Sequence, residues 1–310
     1  MSSPPSPSAF AQAIAPLLIG SILACPLYGI AVAQGISYYR NYPCDRKFVK
    51  YSIALLLLID SAHTFSLANA ALVWYLRAVP NPQYPAGMII STFFSYVTTS
   101  FVQSAFTLRV WIMYRKQWLI PSILQSPYLV SGPKAVLVLC QLVGGLGMAV
   151  NMRTSGSING LHDSNSTIFG NLELASAMIC DIMISVTLVY SLHKNRSGIK
   201  TSDAMIDKLI VYFIGISTLS SVFALINLVT WVAMPKNVIF VIFHSVISKL
   251  YVNSLLVTLN SRQQFRHNLA NETEVGKHLA ASRFLPYEHD HIDATKDDGA
   301  IVLSTFVAVG

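Results

Sequence analysis

The chain has 310 residues, 53% of them hydrophobic and only 11% charged, whereas a soluble domain carries roughly a quarter of its residues as Asp, Glu, Lys and Arg. That balance sets a membrane protein as the first expectation. The net charge of +7 does not read as a nucleic-acid surface, because the basic residues lie in short clusters between apolar runs, where membrane orientation explains them.

The chain begins with a Ser/Pro-rich stretch, Met1–Ser8, and residues 1–13 are expected to form a disordered tail. The apolar run of about Ile14–Tyr39 has no preceding Lys or Arg and exceeds the core of a signal peptide, so it reads as a retained first span with a kink at Pro26. Arg40–Lys50 holds four basic residues in eleven and is a candidate cytoplasmic loop. The second span is about Tyr51–Leu76 and contains Asp60 and His63. A proline-dense turn, Pro80–Pro85, leads to the third, about Met88–Met113, with Gln103 inside. Tyr114–Lys134 carries Arg115, Lys116 and Lys134 around a partly apolar middle that suits the interface.

The fourth span, about Ala135–Met152, contains Gly144, Gly145 and Gly147, which permit close approach of a neighbouring helix. The fifth covers about Asn171–Leu192, with Glu173 at its mouth and Asp181 inside. After a basic loop, His193–Lys208, come the sixth span, about Leu209–Val232, and the seventh, about Lys236–Leu259. Residues 260–310 are expected to be a mostly disordered cytoplasmic tail, first basic and then acidic over Glu288–Asp298. The expected fold is therefore an all-α integral membrane protein, a seven-helix bundle. Nearly all Lys and Arg fall on one side, which places the N-terminus outside and the C-terminus in the cytoplasm. The sequon at Asn165 then lies outside and is a glycosylation candidate, while those at Asn195 and Asn271 lie inside.

The seventh span carries Lys249 near its middle. A charge at that depth costs at least about 2.5–3.5 kcal/mol and calls for a partner. Asp60, Lys249, Asp181 and Gln103 each sit about nine to eleven residues from the cytoplasmic end of their span, on the order of 15 Å deep. We expect a Lys249–Asp60 pair, because the second and seventh helices are neighbours in most seven-helix bundles, with Asp181 either sharing the lysine or protonated by desolvation. Asn253 lies one turn from Lys249, and His63 one turn from Asp60. These six residues form the candidate intramembrane site, which serves either as a polar cavity for a ligand, ion or proton or as a network that fixes helix packing. His244 reads as a packed core histidine rather than a metal ligand, the methionines as packing, and Trp74, Tyr75, Trp118 and Trp231 as interface anchors. The four cysteines, Cys25, Cys44, Cys140 and Cys180, form neither an extracellular pair nor a metal-ligand spacing. No metal site and no cofactor are expected.

Three strings resemble one family: Cys180-Asp-Ile-Met-Ile-Ser-Val-Thr-Leu-Val-Tyr-Ser-Leu, Leu209-Ile-Val-Tyr-Phe, and Ser248-Lys-Leu-Tyr-Val-Asn-Ser-Leu-Leu-Val-Thr-Leu-Asn-Ser-Arg262. It is the fungal, mainly basidiomycete, set of multi-pass membrane proteins ending in a domain of unknown function (family 6534), here over about Asn171–Arg262. Leu18-Ile-Gly-Ser and Asp45-Arg-Lys-Phe-Val-Lys resemble its N-terminal half. The resemblance implies a seven-pass membrane protein and carries no activity with it.

Four function classes are open to such a chain. A receptor-like sensor is favoured by the topology and by basic inner loops that offer a face to a cytoplasmic partner, with the ligand unknown. The third span ends in Thr107-Leu-Arg109-Val-Trp without an Asp-Arg-Tyr box, and the seventh lacks Asn-Pro-x-x-Tyr, so kinship with class A G-protein-coupled receptors is architectural. A transporter or proton/ion pathway is the alternative, though no internal repeat is visible. A structural or assembly role is third. A retinal Schiff base at Lys249 is disfavoured, since the third span has no carboxylate. An enzyme is not expected: no catalytic residues are assigned, for want of a nucleophile elbow, phosphate loop or metal motif. The partner common to every reading is the lipid bilayer; nucleic acid is not one.

Overall fold

A computed structural model of the chain describes residues 7–77, 85–115, 127–155, 163–194, 200–234 and 238–283. They form seven α-helices: α1 Pro7–Asn41, α2 Lys47–Arg77, α3 Ala86–Arg115, α4 Pro127–Ser155, α5 Ser164–Lys194, α6 Lys200–Ala233 and α7 Phe240–Arg283. Among the described residues, five stretches are long and apolar enough to cross a membrane: Ile14–Asn41, Lys47–Leu76, Gly132–Thr154, Ser164–Lys194 and Phe240–Ser261. They fit a multi-pass integral membrane protein in a lipid bilayer. In α6 the apolar stretch is shorter, Thr218–Ala233.

Burial in this bundle runs opposite to that of a soluble protein. Phe65 is 75% exposed and Leu58 68%, whereas Asp60, Lys249, Gln141 and Thr98 are 0% exposed. Water would penalise such an apolar exterior, whereas hydrocarbon accepts it and leaves helix association to close packing and interhelical hydrogen bonds.

Chain neighbours pack side by side, and α7 closes the ring on α1. α3 also packs on α5 and α7 and so runs through the middle. This explains its composition: Ser91, Ser95, Thr98, Thr99 and Ser100 are all buried, small side chains that protein neighbours tolerate and lipid does not require. Two of their hydroxyls turn back on the helix, Ser91 donating to the Met88 carbonyl at 2.8 Å and Thr99 to the Ser95 carbonyl at 3.0 Å. The glycines of α4 act as expected. A Cβ on Gly144 would come within 2.9 Å of backbone atoms of Glu173 and Phe169, and one on Gly145 would strike the Tyr96 ring.

Two apolar clusters divide the core. One, at the end where α1 begins, joins Leu17, Leu67, Met88, Tyr96, Met148, Met152 and Val241. The other, toward the opposite end, joins Ile53, Leu56, Val102, Ile184, Val252, Leu255, Leu256 and Leu259.

Several boundaries differ from expectation. α1 starts at Pro7, inside the expected tail, since proline suits the first helical position; it also continues through Pro26. α4 starts at Pro127 and runs through Pro133, so Lys134 is helical rather than part of an interfacial segment. α5 and α6 take in most of the expected basic loop. α7 continues to Arg283 through residues expected to be tail, because Gln263–Arg283 has no proline or β-branched run and is rich in Ala, Leu, Glu, Gln, Lys and Arg. Apolarity marks only the part of a helix that lies in lipid, whereas propensity carries it further. The turn over residues 80–84, the segment 116–126, Asn195 and residues 284–310, including Glu288–Asp298, lie outside the described residues.

Candidate functional site

Lys249 on α7 reaches across to α2. Its Nζ lies 2.5 Å from Asp60 Oδ1, 3.1 Å from the Asp60 carbonyl oxygen and 2.6 Å from Thr64 Oγ1. An ammonium has three donors, and here all three are used. The Tyr28 ring of α1 adds a face, its centroid 5.5 Å from Nζ. Both partners of the pair are 0% exposed. Thr64 follows Asp60 by one turn and donates to its carbonyl at 2.8 Å. Thr64 was missed in the sequence, although its i+4 spacing from Asp60 is the signal that would have found it. α2 and α7 themselves scarcely touch; the length of the lysine side chain bridges them.

Asp181 does not share this lysine. Gln103 Nε2 donates to its Oδ1 at 2.9 Å, and the Tyr251 hydroxyl donates to its Oδ2. This second knot joins α5, α3 and α7, and Tyr251 carried no sequence signal for it. Asn253 serves a different seam: its Nδ2 donates to the Leu27 carbonyl of α1 at 2.9 Å and to the Lys249 carbonyl at 2.8 Å. Asn260 Nδ2 repeats the tie to α1 at the Gln34 carbonyl, 2.8 Å away. Lys134, expected from the sequence at the end of an interfacial segment, is 0% exposed and donates to Thr187 Oγ1 of α5 at 2.5 Å. Asn165 sits exposed in the first turn of α5.

His63 lies on the other side of the ion pair, toward the end where α1 begins. With His244, Tyr96, Met88, Met148 and Met152 it lines a cleft of about 30 Å³, room for one or two water molecules. Ser245, four residues before Lys249, also lines it. The cleft is thus set one helical turn from both members of the pair. His63 is 2% exposed, and neither its Nδ1 nor His244 Nε2 has a hydrogen-bond partner. The Tyr96 and His244 rings meet edge to face, 5.3 Å between centroids. On the far side of the pair, Ile53, Leu56, Val252 and Leu256 close the core, each 2% exposed or less.

The candidate site therefore has three parts: a sealed ion pair, a separate aspartate knot, and a small cleft lined in part by the pair's own helices. Among the described residues, no group of three or more His, Cys, Asp or Glu is placed to hold a metal ion. No curated protein and no solved structure matches the chain. Residues 177–264, which run from within α5 through α6 and along α7 past the Lys249 turn, match the model of a family of unknown function and carry a DUF6534 domain.

Proposed function

We propose that the protein is a receptor-like, non-catalytic seven-span sensor with its N-terminus outside and the end of α7 in the cytoplasm. The carrying observation is the cleft one turn from the sealed Lys249–Asp60 pair: His63 shares α2 with Asp60, and Ser245 shares α7 with Lys249. A ligand entering the cleft presses on the two helices that the pair holds together. Two arrangements of one buried pair are the kind of bistable element a signal needs.

The apolar cluster on the cytoplasmic side supports a sensor over a transporter. Ile53, Leu56, Leu255, Leu256 and Leu259 pack together there, which favours a sensor because a transported ion needs a wet path. The basic residues at the inner ends of the helices give a cytoplasmic partner an electrostatic footing.

The test is a cell-based screen for ligand- or proton-dependent signals, comparing wild type with Lys249→Met and Asp60→Asn at matched surface expression. The sensor reading expects both variants to lose or fix the response. Equal responses in all three would leave the pair a packing device and overturn the reading. A sustained current in wild type would replace it with a transport pathway.

A further inference from the structure

We infer that the cleft beside the ion pair is a binding site for a soft monovalent metal ion, Cu(I), held by thioether sulfurs of Met88, Met148 and Met152 with imidazole nitrogens of His63 and His244. The convergence is tertiary. The sulfurs come from α3 and α4, the imidazoles from α2 and α7, and all five side chains line one cleft of about 30 Å³. A space of that size accepts one ion or one or two waters.

The donor chemistry selects among ions. Thioethers are soft ligands that favour Cu(I), and imidazole binds copper as well. Ca²⁺ and Mg²⁺ need several oxygen ligands, usually including carboxylates, and among the described residues the only side-chain oxygens lining the cleft are the neutral hydroxyls of Ser91, Thr92, Tyr96 and Ser245. The five proposed ligands are all uncharged, and no carboxylate or thiolate lines the cleft. Desolvation cost rises with the square of the charge, so in a bundle core without an anionic ligand a singly charged ion bears about a quarter of the cost of a divalent one, which the soft donors must offset. Nearby, Lys249 is already neutralised by Asp60.

An independent observation points to a ligand. His63 Nδ1 and His244 Nε2 are buried without any hydrogen-bond partner, an arrangement that costs about 1–3 kcal/mol per group unless something fills it. Packing alone accounts for three methionines; an ion held beside them would give the two imidazoles the partner they lack.

As the stimulus of the sensor, the ion rests on the function proposed above; its binding does not. Purified full-length protein in nanodiscs is titrated anaerobically with Cu(I) against a chromophoric chelator, and with Ag(I) as a redox-inert substitute. One ion per chain is expected, with sulfur and nitrogen scatterers in X-ray absorption. Met148→Leu and His244→Gln should each weaken binding about tenfold or more, whereas Met183→Leu, outside the cleft, should not. Absence of stoichiometric binding, oxygen-only coordination, or wild-type affinity in both cleft variants overturns the site. Binding of the ion without any cellular response leaves the site intact and removes the sensor reading. A response to another stimulus with no metal bound does the reverse.

Discussion

Removing one member of the Lys249–Asp60 pair is expected to cost more than removing both. In Lys249→Met the Asp60 carboxylate keeps neither oxygen bonded, since Oδ1 loses its ammonium and Oδ2 has no partner to begin with. In Asp60→Leu the ammonium retains the Thr64 hydroxyl and the residue 60 carbonyl. Breaking a fully buried pair costs about 3–5 kcal/mol, so Lys249→Met should fall in that range and Asp60→Leu at or below its lower end. At about 2 °C per kcal/mol for a chain of this size, the lysine variant loses roughly 6–10 °C in Tm. The double variant leaves no orphan, because Thr64 still donates to the carbonyl of residue 60 at 2.8 Å. It should lie within about 1 kcal/mol of wild type. The assay is thermal unfolding of detergent-purified protein, followed by tryptophan fluorescence and size-exclusion recovery. Additive losses in the double variant, or no loss in Lys249→Met, would refute the account of the pair as charges that tolerate each other only together.

Three further outcomes test other parts of the structure. Gly144→Val places a side chain against the α5 backbone at 2.9 Å and should destabilise by about 1–3 kcal/mol; Gly29→Ala, where nothing lies within 4 Å, should be neutral or slightly stabilising in the same unfolding assay. Tyr251→Phe removes the donor to Asp181 Oδ2 and should cost about 1–3 kcal/mol, whereas Tyr28→Phe, which keeps the ring facing Lys249, should cost less. In a glycosylation-competent host, glycosidase should shift the mobility of wild type but not of Asn165→Gln; glycan on Asn195 or Asn271 would reverse the proposed orientation.

The lysine shows how far single-sequence physics reaches. A charge in hydrocarbon must be paired, few acids lie within apolar runs, and the second and seventh helices are usual neighbours in a seven-helix bundle, so Asp60 could be named before any coordinates. Here the long lysine side chain, rather than close helix packing, makes the contact. Asp181 shows where the reasoning stops. It stands at a similar depth in its helix, and depth alone cannot distinguish one acid from the other. Which acid meets the lysine depends on helix rotation, and Asp181 instead faces Gln103 and Tyr251. Helix ends were misjudged for a related reason. Water and the interface tolerate a helix that hydropathy does not mark, so α4 gains its first turns and α7 extends to Arg283.

By itself the sequence determined the helical membrane class, the order of the apolar segments, the glycine-mediated approach on α4 and the need for a buried counter-charge, since each follows from the cost of polar groups in lipid. The tertiary structure alone decided that α3 runs through the middle, that Asn253 ties α7 to α1, and that three methionines and two histidines from four helices line one cleft. These depend on how each helix is rotated about its axis. Rotation is set by many small packing contacts between distant segments, and a helix that is apolar all round carries no stripe to reveal it.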